Sequence, residues 1–149
     1  MSASGGKLFG DVTKYRSLVG ALQYLSMTRP DITYAVNQVS RFMHSPTEDH
    51  FMAVKRILRY LKGTLGKGLF LPSTAAPTLL AYSDADWGGT PDDSTSTSGS
   101  CVFLGTNLIS WSSKKQPTVS KSSTEAEYRA MSIATSEVAW IQYLLTDLG

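Results

Sequence analysis

The sequence is poor in the features that secreted and membrane proteins depend on. Its 149 residues include a single cysteine, Cys101, which cannot form a disulfide within the chain. No apolar run approaches the length of a membrane span, and the amino-terminal stretch MSASGGKLFGDVTKYR contains no signal-peptide core. These absences argue against a secreted or membrane protein and suit a reducing compartment. We expect an intracellular protein, in the cytoplasm first, with the nucleus and organelles left open.

Several common catalytic arrangements are missing as well. The two histidines, His44 and His50, lie six residues apart, which is no recognised metal-ligand spacing, and we expect both at the surface. The serine-rich segments lack a histidine and an aspartate placed to activate a nucleophile. Neither G-x-x-x-x-G-K-S/T nor G-x-G-x-x-G occurs. Nothing besides the acidic residues discussed below supports a glycosidase.

Hydrophobic residues make up 42% of the chain and charged residues 17%, so a folded core is expected. The charges are unevenly distributed. Residues 1–74 hold ten Lys or Arg and four Asp or Glu, a net charge of +6, whereas residues 75–149 hold four and eight, a net charge of −4. This asymmetry fits a basic surface for a polyanion beside an acidic site for cations, or simply solvated faces of both signs.

Apolar residues at helical spacing predict three helices in the first half of the chain. The first is expected to end near Thr28-Arg29-Pro30, since the residue before proline is restricted to extended conformations. Ser45-Pro46-Thr47-Glu48 is typical of a capping box with proline at the first helical position, and predicts the start of the third helix. The apolar positions of the first helix are Tyr15, Leu18, Val19, Leu22 and Leu25; those of the third are Phe51, Val54, Leu58 and Leu61.

The second half predicts strands followed by a long helix, an α+β pattern with a three-stranded antiparallel meander. The helix is expected to start near Ser122 or Thr124, because each has a glutamate three residues later. The other expected segments are a short strand at Lys67–Leu71, a linker at 72–77, a strand at Thr78–Asp84, a loop at Asp92–Ser98, and a hairpin of Ser100–Leu104 and Leu108–Ser112.

Two acidic residues are the candidates for chemistry. Asp84 closes the strand, on one face with Leu80 and Tyr82, and helical spacing places Glu127 at the head of an otherwise apolar face that continues through Met131. Carboxylates that converge in this way can hold divalent cations, above all Mg²⁺. Two alternatives stay open: Glu127 could complete a capping box with Thr124, and Asp84 could merely end a strand.

The neighbouring charges are less specific. Glu125 is expected to face water, and Asp86 is a third candidate ligand that sits where the chain turns at Trp87. On the third helix Lys55, Arg59 and Lys62 share one side. These three residues, like Lys114 and Lys115 before Gln116, either bind phosphates or only solvate the surface.

Long segments of the chain resemble the Pol polyprotein of Ty1/copia-type long-terminal-repeat retrotransposons, particularly the plant members. The resemblance covers Tyr15–Gly149 and rests on the segments YRSLVGALQYLSMTRPDITYAVNQVSRFMHSPTEDHFMAVKRILRYLKGT, AYSDADWGG and STSGSCVFLGTNLISWSSKKQPTVSKSSTEAEYRAM. It implies four parts: a tail at 1–14, the end of the reverse transcriptase, including its thumb and connection, at 15–71, a linker at 72–77, and the amino-terminal part of a ribonuclease H domain at 78–149.

In that family the first aspartate of SDADW and the second glutamate of STEAEY are metal ligands of ribonuclease H, which implies this role for Asp84 and Glu127 and makes Asp86 a neighbour of the site. The chain departs from the family pattern in three places. It ends before the CDNQSA-like segment that carries a third catalytic aspartate; the polymerase aspartates lie upstream; and Ser94, Thr95 and Ser100 replace basic and aromatic residues around STSGY.

The resemblance therefore implies a fragment whose intact parent cleaves the RNA strand of RNA–DNA hybrids with two Mg²⁺ ions, while the fragment alone is expected to be inactive. The basic residues of the third helix, with Lys114 and Lys115, would contact the hybrid backbone. Expected partners are the hybrid, the rest of the polyprotein, and a second copy at an exposed strand edge. The alternative is a non-catalytic protein from a retrotransposon relic that binds nucleic acid or another protein.

Overall fold

Two separate units form along the chain in the computed structural model, one up to Leu69 and one from Phe70 onward. The structure describes residues 6–73, 78–89 and 92–149. Residues 74–77, which fall in the expected linker, lie outside the described residues. Within the described ranges, no helix combines the length and the apolar character that crossing a bilayer requires.

The first unit contains the three predicted helices, because each carries an apolar face that the other two cover. They are α1 (Val12–Leu25), α2 (Thr33–Ser40) and α3 (Glu48–Gly63), and a 3₁₀ turn at Pro30–Ile32 precedes α2. The fully buried Tyr15 side chain also donates a hydrogen bond of 2.8 Å to the Val39 carbonyl. The core consists of Tyr15, Val19, Leu22, Ile32, Val36, Val39, Phe51, Val54, Ile57 and Leu61.

The start of α3 differs from the prediction. Its N-cap is Thr47 and its third residue is His50, so the capping box at Ser45 is wrong by two residues. Pro46 precedes the cap, and its carbonyl accepts a hydrogen bond from Phe9 N. His50 is only 2% exposed, which contradicts its expected surface position, whereas His44 is exposed as predicted.

A buried arginine joins the α1–α2 connection to the end of α3. Arg29 is 8% exposed and donates two hydrogen bonds to the Asp31 carboxylate, from Nε at 2.9 Å and Nη2 at 2.7 Å. The same guanidinium donates to the Thr64 hydroxyl, and the Tyr60 hydroxyl donates to Asp31. These bonds hold the pKa of Asp31 down to about 2, with the Arg29 hydrogen bond as the largest cause.

The second unit is an antiparallel sheet in the order β1-β2-β3 followed by one long helix. Its elements are β1 (Leu79–Asp86), β2 (Thr97–Leu104), β3 (Asn107–Lys115) and α4 (Ser123–Leu148). A two-residue turn at Gly105 and Thr106 joins β2 to β3, and Gly105 adopts the positive φ that such turns need. The α+β pattern is confirmed.

Two segments differ from the prediction in this part of the chain. Lys67–Leu71 forms no strand, and Phe70 within it is 85% exposed. The segment expected as a loop up to Ser98 instead enters β2 at Thr97, and both residues are buried. Threonine has a high strand propensity, and a segment rich in serine and threonine can form a strand when a helix packs over it.

Helix α4 covers one face of the sheet and leaves the other open. The covered face carries Ser98, Ser100 and Val102, which pair in register with Ala85, Ser83 and Ala81. The residues between them point the other way. Among the described residues β1 has no partner on its outer edge, and Leu80 and Tyr82 on the open face are 48% and 59% exposed.

We expect acid to weaken the first unit through Asp31. Because the folded pKa is about 2 and the unfolded value about 3.9, the carboxylate contributes stability above pH 4 and loses it as the pH falls towards 2. Asp31→Asn should lower stability at pH 7 and flatten its decline below pH 4, measured by urea unfolding followed at α1 and α3 amides. Tyr60→Phe removes one hydrogen bond and should have a smaller effect. An unaltered decline in Asp31→Asn would contradict this role.

We also expect concentration-dependent self-association through β1, because among the described residues its outer edge is unpaired and its open face carries the exposed Leu80 and Tyr82. Tyr82→Lys should shift sedimentation velocity profiles towards the monomer, whereas Tyr143→Lys, at a 73% exposed position on α4, should not. The edge would be shown to be protected if amides of Leu79–Tyr82 exchanged as slowly as those of Val54–Leu61 in a monomeric sample.

Candidate functional site

Asp84 lies two residues before the end of β1, on the open face of the sheet. The two-residue period puts it on the same side as Leu80 and Tyr82, as predicted, and its side chain is exposed. Its carboxylate makes no hydrogen bond or ion pair with any described residue. It pairs in register with Gly99, which has no side chain to cover it.

Glu127 lies in the second turn of α4 and is half-buried. The N-cap is Ser122, whose hydroxyl accepts from Glu125 N at 3.1 Å, while the Glu125 carboxylate accepts from Lys121 N at 2.8 Å. Ser122 thus caps the helix, and Glu125 binds the N–H of the residue before the cap. Thr124 lies inside the helix and Glu127 makes no capping bond, so the alternative of a box between Thr124 and Glu127 is wrong. Glu127 has no hydrogen-bond or ion-pair partner within the described ranges.

The buried face of α4 starts one residue before the predicted one and then joins it at Ala134 and Ile141, which the predicted apolar face also contained. It consists of Ala126, Ala130, Ala134 and Ile141, whereas Met131 is 53% exposed. Glu127 therefore borders the buried face and does not head it. Glu125, expected to face water, is also only partly exposed, and its pKa is lowered by the hydrogen bond from Lys121 N and then by that from Arg129.

A buried glutamine brings the end of β1 and the start of α4 to the same end of the sheet. Gln116 Nε2 donates to Ser98 Oγ at 3.0 Å and to the Ala126 carbonyl at 2.9 Å. Ser98 pairs with Ala85, which follows Asp84, and Ala126 precedes Glu127. The sequence neighbours of both acids are thus tied to one side chain.

The turn after β1 adds a second connection to this end. Trp87 Nε1 donates to the Ser120 carbonyl at 3.0 Å, and Ser120 Oγ donates to Gln116 Oε1 at 2.8 Å. Asp86 accepts a hydrogen bond from Thr97 N, which gives it a structural role. A Cβ at Gly89 would overlap the Asp86 carboxylate, so a larger residue there would displace that side chain.

The chemistry of the two acids fits Mg²⁺, which prefers hard carboxylate oxygens and keeps several waters. Asp84 is accessible, Glu127 is half-buried, and neither carboxylate is occupied by a described cation. Residues 6–73, 78–89 and 92–149 contain no group of three or more His, Cys, Asp or Glu side chains placed to hold a metal. The structure brings Asp84 and Glu127 to the same end of the sheet but not to the same face, because Asp84 projects from the open face and Glu127 lies on the helix that covers the other face.

The three candidate basic residues on α3 share one exposed side. Lys55, Arg59 and Lys62 line a shallow surface depression of about 380 Å³, together with Met52 and Leu58. Lys55 Nζ lies 4.7 Å from the centre of the Phe51 ring, a cation–π contact that orients its stem. Leu58 belongs to this surface and not to the core, where Ile57 takes its predicted place.

The two lysines that end β3 differ from each other. Lys115 forms an ion pair with Asp93, whose pKa is lowered to about 2 by that bond first and by Thr95 second. Lys114, its neighbour, is exposed. Of this pair, Lys114 is the one whose charge is available to a ligand.

Gln116 escaped prediction from sequence, because a glutamine next to lysines and a proline carries no pattern that marks it as buried. It is 3% exposed, and its backbone N also donates to the Ser96 carbonyl at 2.8 Å. The only available signal is the dense run of hydroxyl residues nearby, which cannot all be buried without a shared partner.

We expect Gln116→Ala to destabilise the second unit by about 2–3 kcal/mol, because the substitution leaves several buried polar groups without a partner. All three tryptophans, Trp87, Trp111 and Trp140, belong to this unit, so tryptophan fluorescence during urea unfolding reports on it alone. The control Gln142→Ala, at an exposed position on α4, should change stability by less than about 0.5 kcal/mol. Equal effects of both substitutions would contradict the role of Gln116.

Comparison with known proteins gives close relatives. The retrovirus-related Pol polyprotein from transposon RE1 of Arabidopsis thaliana is 57% identical over 149 residues, which are 100% of this chain and 10% of that protein. The Pol polyprotein from transposon RE2 of the same plant is 58% identical over 146 residues, 98% of this chain and 10% of that protein. No protein-family model matches the chain, and no solved structure does.

A much shorter relative matches as well. Secreted RxLR effector protein 161 of Plasmopara viticola is 47% identical over 128 residues, which are 85% of this chain and 90% of that protein. The chain spans about a tenth of the length of the two Arabidopsis polyproteins. On these identities, and as the resemblance to Ty1/copia-type elements predicted, the chain belongs to the family of retrovirus-related Pol polyproteins of plant transposons.

Proposed function

We propose that residues 78–149 form part of a ribonuclease H-like domain of the polyprotein and that residues 15–71 form the end of its reverse transcriptase. The observation that carries this proposal is the pair of carboxylates without a described partner at one end of the sheet, Asp84 and Glu127, where Gln116 links β2 to the start of α4. A meander followed by a helix across one face supports the same assignment.

Asp84 and Glu127 would hold Mg²⁺ in this domain. Bound in pairs, such ions stabilise the attacking and leaving oxygens of a displacement at phosphorus. Asp84 lies on an open sheet face with glycine opposite, so a nucleic-acid backbone can approach it without a steric barrier. Glu127 lies at the edge of the buried face of α4, where Ala126 and Ala130 pack the helix against the sheet.

The basic side of α3 would bind the backbone of an RNA–DNA hybrid. Lys55, Arg59 and Lys62 are exposed and lie one helical turn apart, which suits contact with successive phosphates. Lys114 would add a further contact, while Lys115 is already neutralised by Asp93. Such recognition depends on backbone and groove shape and needs no base-reading residues.

A second function is favoured by a different observation. The described residues contain no metal-binding group of three or more side chains, and Mg²⁺ held by two carboxylates alone is held weakly. A chain of this composition could therefore act without catalysis, through nucleic acid bound at α3 or through a protein partner. This alternative requires neither acid, so acid substitutions separate the two functions.

We expect divalent cations to bind weakly at the end of the sheet that carries Asp84 and Glu127. With Mn²⁺ as a paramagnetic substitute for Mg²⁺, amide NMR signals of residues 83–86 and 126–128 should broaden first. Asp84→Asn should abolish the broadening, whereas Asp147→Asn, at an exposed position near the far end of α4, should leave it unchanged. Broadening centred elsewhere would argue against the site.

The 149-residue chain itself should cleave a labelled RNA–DNA hybrid only in trace amounts, for the same reason of weak metal binding. Robust Mg²⁺-dependent turnover that disappears in Asp84→Asn would show that two carboxylates suffice. Robust turnover that survives in Asp84→Asn would remove the ribonuclease H assignment of this residue.

We expect nucleic-acid binding to be independent of sequence and sensitive to salt. Replacing Lys55, Arg59 and Lys62 together with Ala should reduce the slope of log affinity against log salt by at most about three. A control that removes the same charge off α3, with Lys7, Lys67 and Lys121 replaced by Ala, should change the slope less. Equal slopes in all three proteins would assign the α3 cluster to solvation.

A further inference from the structure

An imidazole takes the place of the usual carboxylate or amide in the capping box of α3. Thr47 Oγ1 accepts from His50 N at 3.4 Å, and His50 Nδ1 accepts from Thr47 N at 3.1 Å. Both residues are buried, at 4% and 2% exposure. Since a nitrogen accepts a hydrogen bond only through a free lone pair, this cap requires Nδ1 without a proton and the neutral ring protonated at Nε2.

The ring is also held from the side. His50 stacks on Phe42 with ring centres 3.7 Å apart and planes 13° from parallel. Phe42 lies in the α2–α3 connection and is itself 8% exposed, so the stack holds the plane of the imidazole. A half-turn of the ring within that plane would place Cδ2, which accepts no hydrogen bond, against Thr47 N. The acceptor is therefore fixed to one nitrogen.

The cap joins three parts of the first unit. Glu48 N donates to the Lys7 carbonyl at 2.9 Å, Phe9 N donates to the Pro46 carbonyl at 2.9 Å, and Leu8 bridges Thr47. The amino-terminal segment is thus paired to the residues immediately around the cap. Opening the cap would release the first turn of α3 and this segment together.

We propose that His50 makes the start of α3 sensitive to pH, closed when the imidazole is neutral and open when it is protonated. A second ring proton occupies Nδ1, removes the acceptor for Thr47 N and leaves that buried donor unpaired. The cation would lie at a helix N-terminus, where the helix dipole opposes positive charge.

The surrounding charges do not reverse this effect. Glu48 and Asp49 lie in the first turn of α3 and favour a cation, but both are exposed and screened by salt. Lys7 on the amino-terminal segment and Arg41 and His44 on the α2–α3 connection carry or gain positive charge and oppose it. None of these groups can replace the acceptor that Thr47 loses.

The sign of the pH dependence follows from proton binding. Acid favours whichever state can take up a proton at Nδ1, and the closed cap cannot do so because Nδ1 accepts the hydrogen bond from Thr47 N. Stability of the first unit should therefore be present at neutral pH and decrease in acid. The unfolding equilibrium constant should rise by up to about tenfold for each pH unit between 6.5 and 5.

The chain offers matched variants because it contains only two histidines. Glutamine at the third helical position is a standard capping-box residue without a titratable proton, so His50→Gln should keep the cap and lose the pH dependence. His44→Gln, at the exposed position, should behave as the wild type. Urea unfolding followed at amide signals of α3 at pH 7.5, 6.5 and 5.5 measures all three proteins.

The expected result is a urea midpoint that falls between pH 7.5 and 5.5 in the wild type and in His44→Gln but not in His50→Gln. A midpoint independent of pH in the wild type, or an equal fall in His50→Gln, would overturn the proposal. If His50→Gln does not fold, ring-nitrogen NMR of the wild-type chain at pH 7.5 decides. Nδ1 without a proton supports the cap, and a protonated Nδ1 overturns it.

Discussion

The second unit depends on the hydrogen bonds of Gln116. The face of β2 beneath α4 is built from serine and threonine, with Ser98 and Ser100 3% and 8% exposed, and the helix face above it is mostly alanine. Small residues let the helix lie close to the sheet, but each contributes little apolar area, so burial alone holds this interface weakly. Hydrogen bonds, which depend on direction, must then fix the position of α4 on the sheet. Gln116 makes these bonds with both polar atoms of its side chain. Its Nε2 donates to Ser98 on β2 and to the Ala126 carbonyl in the first turn of α4, and its Oε1 accepts from Ser120 in the loop before α4.

The first unit is stabilised differently, by large apolar side chains with the Arg29–Asp31 ion pair at their margin. Arg29 connects Asp31 to Thr64, which closes the far end of α3 while the Thr47–His50 pair closes its start. Both ends of the helix that carries Lys55, Arg59 and Lys62 are therefore fixed by polar contacts. A basic surface on a helix held at both ends keeps its charges in a constant arrangement, which is what binding to a regularly spaced phosphate backbone requires.

Sequence periodicity predicted the helices and the meander. It also predicted the face on which Asp84 lies, because successive side chains of a strand point to opposite faces of the sheet. It placed Glu127 wrongly by about one residue, since hydrophobicity favoured the larger Met131 while the close packing selected Ala126 and Ala130. Several neighbouring positions of a helix can face a sheet, and the size of each side chain decides which of them can be buried in a close interface. His50 was missed because imidazole is rarely read as a capping group, and Gln116 because its partners come from three distant segments.

The acidic residues of the second unit differ in whether they have a hydrogen-bond or ion-pair partner, and this difference concerns Asp84 and Glu127. The second unit has cations, yet Lys115 pairs with Asp93 and Arg129 pairs with Glu125, while Asp86 and Glu137 accept hydrogen bonds from Thr97 N and from Ser110. Each of these acids has a structural partner, and Asp84 and Glu127 have none among the described residues. Pairing them would add little to stability at such exposed positions, but it would occupy the oxygens. The oxygens of both carboxylates therefore remain available to a ligand, as the proposed metal site requires, while buried hydrogen bonds that neither acid makes fix the end of the sheet where they lie.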